Sequence, residues 1–200
     1  MPKVKVPRKS TNVDMTAMCD VAFLLLTFFM LTTQFKAEEP VIVTIPKSIS
    51  DIKLPDNNIM SITVTKDGRV YYGVDGQFNR EKLLKKISDK YKIEFNEDEL
   101  HAFVLTSAFG VPIQKLKLFL DMTPLERQNI QQPGIPIDST NNELADWIMQ
   151  GRLANPQYSI AIRGDGDCPY PVIKKVIATL QAKNVNKFNL ITNLEAKPKI

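Results

Sequence analysis

The chain has 200 residues, 24 % of them charged, with a formal net charge of +4. Outside its most apolar stretch roughly 165 residues remain, enough to bury one sizeable core but not two. The positive charge is local: Lys3, Lys5, Arg8 and Lys9 account for all of it, and the other 22 basic side chains equal the 22 acidic ones. The rest of the chain is therefore near neutral, and without a basic stripe interleaved with aromatics nucleic acid is not an expected partner. Cys19 lies in the apolar stretch and Cys168 far from it, so neither predicts a disulfide and the compartment must be read from topology.

After a basic tail over residues 1–12, residues 13–35 read as a transmembrane helix. Crossing a hydrocarbon core of about 30 Å takes about 20 residues at about 1.5 Å each. Val13 to Thr33 meets that length, and its threonines can return their hydroxyls to carbonyls one turn earlier. The Lys/Arg bias on the N-terminal flank, against Lys36, Glu38 and Glu39 on the other, places the N-terminus in the cytoplasm and residues 36–200 outside. A cleaved secretory signal fits poorly. The apolar run is long, an acid interrupts it, and no Ala-x-Ala site precedes "Gln-Phe-Lys-Ala-Glu-Glu-Pro".

That acid is Asp20. A charged carboxylate at the centre of a spanning helix costs about 2.5–3.5 kcal/mol on insertion scales. Low dielectric disfavours the charged form, so a group at this depth is neutral when sealed and charged when wetted, the property of a proton carrier. At 100° per residue Thr16, Ala17, Phe23, Leu24, Thr27 and Leu31 share its face. Thr16, Ala17 and Thr27 permit close helix approach and offer hydrogen bonds, which a lipid-facing stripe does not need. A lone helix cannot shield Asp20, so other transmembrane helices are expected around it. The alternative is an Asp that only pins a helix pair. Asp14 lies about 100–120° around the helix near the cytoplasmic boundary, where it reads as a boundary cap.

The exported part begins with a linker over residues 36–58. It holds the β-like run "Val-Ile-Val-Thr-Ile-Pro-Lys", stopped at Pro46. Residues 59–200 read as one α+β domain. "Ile-Met-Ser-Ile-Thr-Val-Thr-Lys-Asp-Gly-Arg-Val-Tyr-Tyr-Gly" alternates around Asp67-Gly68 and predicts a hairpin. A helix capped by Asn79 follows, with Leu83, Leu84 and Ile87 inward. Residues 88–156 read as a helical insertion with pieces over 98–109, 112–121 and 141–152. In it His101 has no partners at ligand spacing, and Trp147 is a packing residue.

Further on, "Tyr-Ser-Ile-Ala-Ile-Arg", a helix from Pro169 to Lys183 and "Lys-Phe-Asn-Leu-Ile-Thr-Asn" form a βαβ unit with parallel strands. The fold expected is a small mixed sheet with helices on one face. Asp165 and Asp167 suggest a calcium loop, but the downstream bidentate Glu is missing. Cys168 lacks a histidine-based activation pattern, and no Ser-His-Asp, Walker or Gly-rich phosphate motif occurs. No enzyme activity, cofactor or metal is expected.

Several stretches carry a resemblance. "Asp-Met-Thr-Ala-Met-Cys-Asp-Val" is similar to the helix entry of the ExbD/TolR family of proton-channel subunits, with Thr16, Asp20 and Val21 matching. Asp14 stands where Asn is common, and Ala17 where Pro is common. "Val-Thr-Ile-Pro-Lys" resembles the family's Val-Asp-Leu-Pro-Lys and marks Val43, Ile45 and Pro46 as candidate partner-binding residues. "Gly-Arg-Val-Tyr-Tyr-Gly" with its helix, and "Ile-Arg-Gly-Asp-Gly-Asp-Cys-Pro-Tyr-Pro-Val-Ile" with Arg163, Asp165 and Tyr170, resemble the periplasmic hairpin and the strand-loop-helix before the last strand. Only the insertion lacks a counterpart.

The resemblance implies a single-pass protein of the Gram-negative inner membrane that forms a homodimer. The dimer's helices would sit inside a pore of polytopic ExbB-like subunits, a pentamer, with Asp20 taking up and releasing protons. The exported domain would pass the motion to a TonB-like protein and so drive outer-membrane active transport. The alternative is a TolR-like subunit whose periplasmic domain grips peptidoglycan.

Overall fold

The computed structural model describes residues 15–32, 41, 43–48, 58–138, 140–191 and 193–194. The basic tail, Asp14 and most of the linker lie outside them. The chain divides into two compact units, Met1–Lys36 and Ala37–Ile200.

In the first unit one helix, α1, spans Met15–Thr32. The second unit contains β1 (Lys47–Ser48), β2 (Ile59–Val64), β3 (Val70–Val74), α2 (Gln77–Tyr91), α3 (Glu97–Leu105), β4 (Ala108–Phe109), α4 (Ile113–Asp121) and α5 (Pro124–Asn129). It continues with α6 (Glu143–Ala154), β5 (Ser159–Gly164), α7 (Tyr170–Ala182), β6 (Phe188–Ile191) and β7 (Asn193–Leu194).

Five strands make a mixed sheet in the order β4-β3-β2-β5-β6. β2 pairs antiparallel with β3 and parallel with β5, and β5 pairs parallel with β6, as the βαβ reading requires. The hairpin turns where Asp67-Gly68 predicts: Gly68 sits at φ +76° and donates to the Thr65 carbonyl at 2.9 Å. Because side chains alternate along a strand, Met60, Ile62 and Val64 point into one face and are sealed from solvent. Leu83, Leu84 and Ile87 of α2, Ile148 of α6, and Val176 and Leu180 of α7 join the same core. Helices therefore cover one face of the sheet, and Ser61 and Thr63 point to the other.

Some boundaries differ from the sequence expectation. α2 starts at Gln77, not at Asn79: Gly76 adopts φ +86° and accepts the first helical bond from Arg80 N at 3.1 Å. The stretch 98–109 is not one helix, because Thr106 turns extended at ψ 121° and Ala108–Phe109 then pairs with Gly73 and Tyr72. The described residues of the β-like run before Pro46, 41 and 43–45, are not in a strand; Lys47–Ser48, just after it, pairs in parallel with Asn193–Leu194.

The helices of residues 88–156 are built into the core. Trp147 of α6 is fully buried, its ring stacked on Phe103 at 6.1 Å and edge-on to Phe109 at 4.7 Å. Tyr72 donates its hydroxyl to the Trp147 carbonyl at 3.2 Å. Glu143, 4 % exposed, accepts from Ile113 N at 2.7 Å and so caps the start of α4 from another helix, where a negative charge is favoured. α6 approaches the sheet closely at Gly151, where a Cβ would lie 2.6 Å from the Tyr72 hydroxyl oxygen and 3.0 Å from Met60 Cε. Gly151→Ala is expected to destabilise the domain by about 1–3 kcal/mol through overpacking, despite the better helix propensity of alanine. A lowered thermal midpoint checks this.

At the end of α2, Lys90 Nζ and the Tyr91 hydroxyl both bind the Asp146 carboxylate. Burial alone would raise the Asp146 pKa, but the bonds from Lys90 and Tyr91 and the Lys90 charge outweigh it and lower the value. A depressed folded value contributes stability above the unfolded value of about 3.9, lost as pH falls through the folded one. Asp146→Asn is thus expected to be less stable than the wild type at pH 7, by no more than about 1 kcal/mol for this partly exposed pair. The gap should start to narrow as the pH falls below about 4, where the unfolded chain takes up this proton, and close only below the depressed value of the folded state, where wild-type Asp146 is neutral as well.

Candidate functional site

The 18 residues of α1 extend roughly 27 Å at about 1.5 Å each, close to a hydrocarbon thickness. None is buried, and every large apolar side chain from Met15 to Leu31 is at least 52 % exposed. Such a surface is stable in lipid or against other apolar helices, not in water.

Asp20 lies in the first half of this helix and is exposed, with no hydrogen-bond or ion partner among the described residues. The regular helix puts Thr16, Ala17 and Thr27 within about 60° of it. Of these only Thr27 is half-buried. Its hydroxyl donates to the Phe23 and Leu24 carbonyls at 3.0 and 2.9 Å. The Thr27 proton is thereby used inside the helix, and the side chain offers an acceptor outwards. Thr32 closes the same way on Phe28 at 2.8 Å. The acid is thus the one charged group of the helix, on a face where small and hydroxylated side chains leave room beside it.

In the second unit the candidate partner-binding residues divide. Val43 and Ile45 are half-buried, whereas Pro46 is exposed. Between them Thr44 is held from both sides, its N–H by Asp165 Oδ2 at 3.1 Å and its carbonyl by Gly166 N at 2.9 Å. Asp165 also accepts from Asp167 N at 3.1 Å. The loop that suggested calcium thus uses its first carboxylate to close a turn and hold the chain at Thr44. Cys168 stands in this loop with its pKa raised, first by burial and then by Asp165, so it is a poor thiolate nucleophile. Tyr170 is 73 % exposed, and His101 is exposed on α3.

The sheet face opposite the helices carries a grouping that the sequence did not single out. Thr63 of β2 is paired with Tyr71 on one side and Arg163 on the other. Ser61, two residues away, lies between Gly73 and Ala161. Ser61, Thr63, Tyr71 and Arg163 line a cavity of about 90 Å³ with Val41, Ser107 and Ala108. The signal for it was the polar half of the alternation in "Met-Ser-Ile-Thr-Val" and the arginine that ends "Ile-Ala-Ile-Arg"; only strand register brings the two together.

One N-terminal helix long and apolar enough to cross a membrane, followed in the chain by a mixed α+β domain, fits the class of single-pass membrane proteins. The model of the family described as biopolymer transport protein ExbD/TolR matches residues 7–195, nearly the whole chain and including the stretch 88–156. The chain belongs to the ExbD/TolR family. No curated protein and no solved structure gives a significant match.

Proposed function

We propose that this chain is the proton-carrying subunit of an inner-membrane complex of the ExbB–ExbD–TonB type, which uses the proton motive force to drive outer-membrane active transport. The observation that carries the reading is Asp20: a carboxylic acid within a wholly apolar helix, without a partner among the described residues of its own chain. Its desolvation cost is met only in a protein-lined, wettable setting. Two copies of α1 inside a pentamer of ExbB-like subunits supply that setting, with Thr16, Ala17 and Thr27 facing the pore. The N-terminus is cytoplasmic and residues 36–200 are periplasmic, where Val43, Ile45 and Pro46 meet a TonB-like protein.

Membership in a family of biopolymer transport proteins supports this reading. The energetics suffice, since one charge moving through about 100 mV releases about 2.3 kcal/mol and several protons can drive a conformational step. The test is uptake of a TonB-dependent substrate in cells carrying Asp20 variants, scored beside outer-envelope integrity. Loss of uptake with an intact envelope supports the reading; an envelope defect with unimpaired uptake overturns it in favour of a TolR-like role.

A further inference from the structure

Three large apolar side chains of the second unit are left in solvent close together in the chain, on α4 and α5: Leu118, Leu125 and Ile130, 64, 72 and 44 % exposed. The fold explains why they point outward. On α4 the buried positions are Ile113, Leu116, Phe119 and Leu120, so Leu118 stands on the opposite side, with Met122 one turn further on. On α5 the inward residue is Arg127. Its Nε donates to the Met122 carbonyl at 2.9 Å, its Nη1 to the Ala102 carbonyl at 3.4 Å and its Nη2 to the Leu120 carbonyl at 3.4 Å. Leu125, two residues earlier and about 200° around the helix, is therefore turned to solvent.

Nothing in α5 itself requires a leucine there. The helix start is served by Pro124 and by the capping box of Thr123 and Glu126, and an exposed leucine buries nothing within the chain. Between the two helices Met122 and Ile130 line a groove with Glu126 and Asn129. Leu118 lies one turn before Met122 and Leu125 one turn before Asn129, so both leucines flank it. The result is an apolar patch on the order of a few hundred Å², the size at which exposed apolar surface marks an interaction site.

The rim decides what fits. It carries Lys115 and Lys117 against Asp121 and Glu126, all four exposed. An anionic lipid surface selects a cationic rim, which this balanced one is not. Lys115, one turn before Leu118, makes no ion pair or hydrogen bond among the described residues, and Glu126 stands at the α5 end. With a cation at one end, a carboxylate at the other and apolar side chains between, the surface is complementary to itself. A two-fold axis through its middle sets Lys115 of each copy toward Glu126 of the other. The patch is smaller than the roughly 800 Å² per partner of a stable free dimer. It suffices where copies are already held together, since linked modules meet at effective concentrations of roughly millimolar. α1 ends at Thr32 and the second unit begins at Ala37, so two anchors in one pore keep two such units within reach of each other.

We propose that the α4–α5 surface, with Leu118, Met122, Leu125 and Ile130 between Lys115 and Glu126, is where the second units of two copies of this chain meet. The proposal rests on the reading that two copies share one pore, and it names the surface through which they touch outside the membrane.

The test uses the full chain with its partners in membranes, its two native cysteines replaced by Cys19→Ala and Cys168→Ser, and a short bis-maleimide cross-linker. Leu118→Cys and Leu125→Cys are each expected to give a cross-linked dimer, and Lys174→Cys, exposed on α7, to give none. Adding Leu125→Asp to Leu118→Cys should cut the cross-linked fraction at least tenfold, and adding Lys115→Glu several-fold. These positions are on the surface, so the variants keep the fold. Two differently tagged copies report separately whether the chain is present twice in one complex. If the tags co-purify, absence of a cross-link at either leucine position, equal cross-linking at Lys174→Cys, or cross-linking unchanged by Leu125→Asp overturns this interface and leaves the two-copy reading standing. Tags that do not co-purify overturn both. Capture of a different polypeptide by Leu125→Cys, or quenching by brominated lipid of a fluorophore attached to it, gives the patch to another protein or to the membrane and overturns the proposal as well.

Discussion

Asp20→Asn is expected to reduce TonB-dependent uptake to the level of cells lacking the chain, while the protein still inserts and co-purifies with its membrane partners. Asparagine has nearly the shape of aspartic acid and keeps hydrogen-bonding capacity, so helix packing around it changes little. It has no proton to release at any accessible pH, so a cycle of loading and unloading stops altogether. Asp20→Glu keeps a titratable carboxyl but displaces it by one methylene. In a site that depends on placement, shifts of about 1 Å can cost about a hundredfold, so partial uptake at most is expected. Uptake at wild-type level by Asp20→Asn would refute a proton-carrying role and leave the acid as a pin between helices. Failure of the variant to co-purify would point to the same structural role. Uptake and co-purification measured on the same cells separate these outcomes.

Trp147→Ala is expected to cost about 3–5 kcal/mol, the range for deleting a large buried aromatic side chain. The ring has no exposed surface and contacts Phe103, Phe109 and Tyr72, which come from α3, β4 and β3. Those partners hold it from three directions, so the void cannot close by a simple shift. With a folding stability of about 5–15 kcal/mol, such a loss is a large fraction of the whole. For a unit of this size it lowers the thermal midpoint by roughly 6–20 °C. The measurement also bears on residues 88–156. If they formed a separable appendage, the rest of the domain would melt unchanged; as part of one core, the whole domain should melt earlier and in one transition.

The helix of the anchor and the presence of Asp20 in it are legible because both are local. Hydropathy over about 20 residues sets whether a helix can span, and an acid within the run stands out against that background. Hairpin β2–β3 was equally legible, since alternation and the φ demand at Gly68 are properties of adjacent residues. The order β5–α7–β6 followed from period and handedness rules that hold for any such unit.

What escaped the sequence is non-local. "Ala-Phe" at 108–109 has the composition of a helix end, and only the free edge of β3 makes it a strand. Glu143 reads as a surface acid two residues after Asn141, yet it is buried because the start of α4 presents Ile113 N to it. Asp165 and Thr44 are 121 residues apart, a pairing no window of sequence contains. The sequence by itself determined that this protein has a membrane helix with an acid inside it and an α+β domain behind it, because periodicity, hydropathy and turn chemistry act over a few residues. Only the tertiary structure decided that residues 88–156 complete the core and that Arg163 stands beside Thr63, because burial and strand register arise between segments that the chain itself keeps far apart.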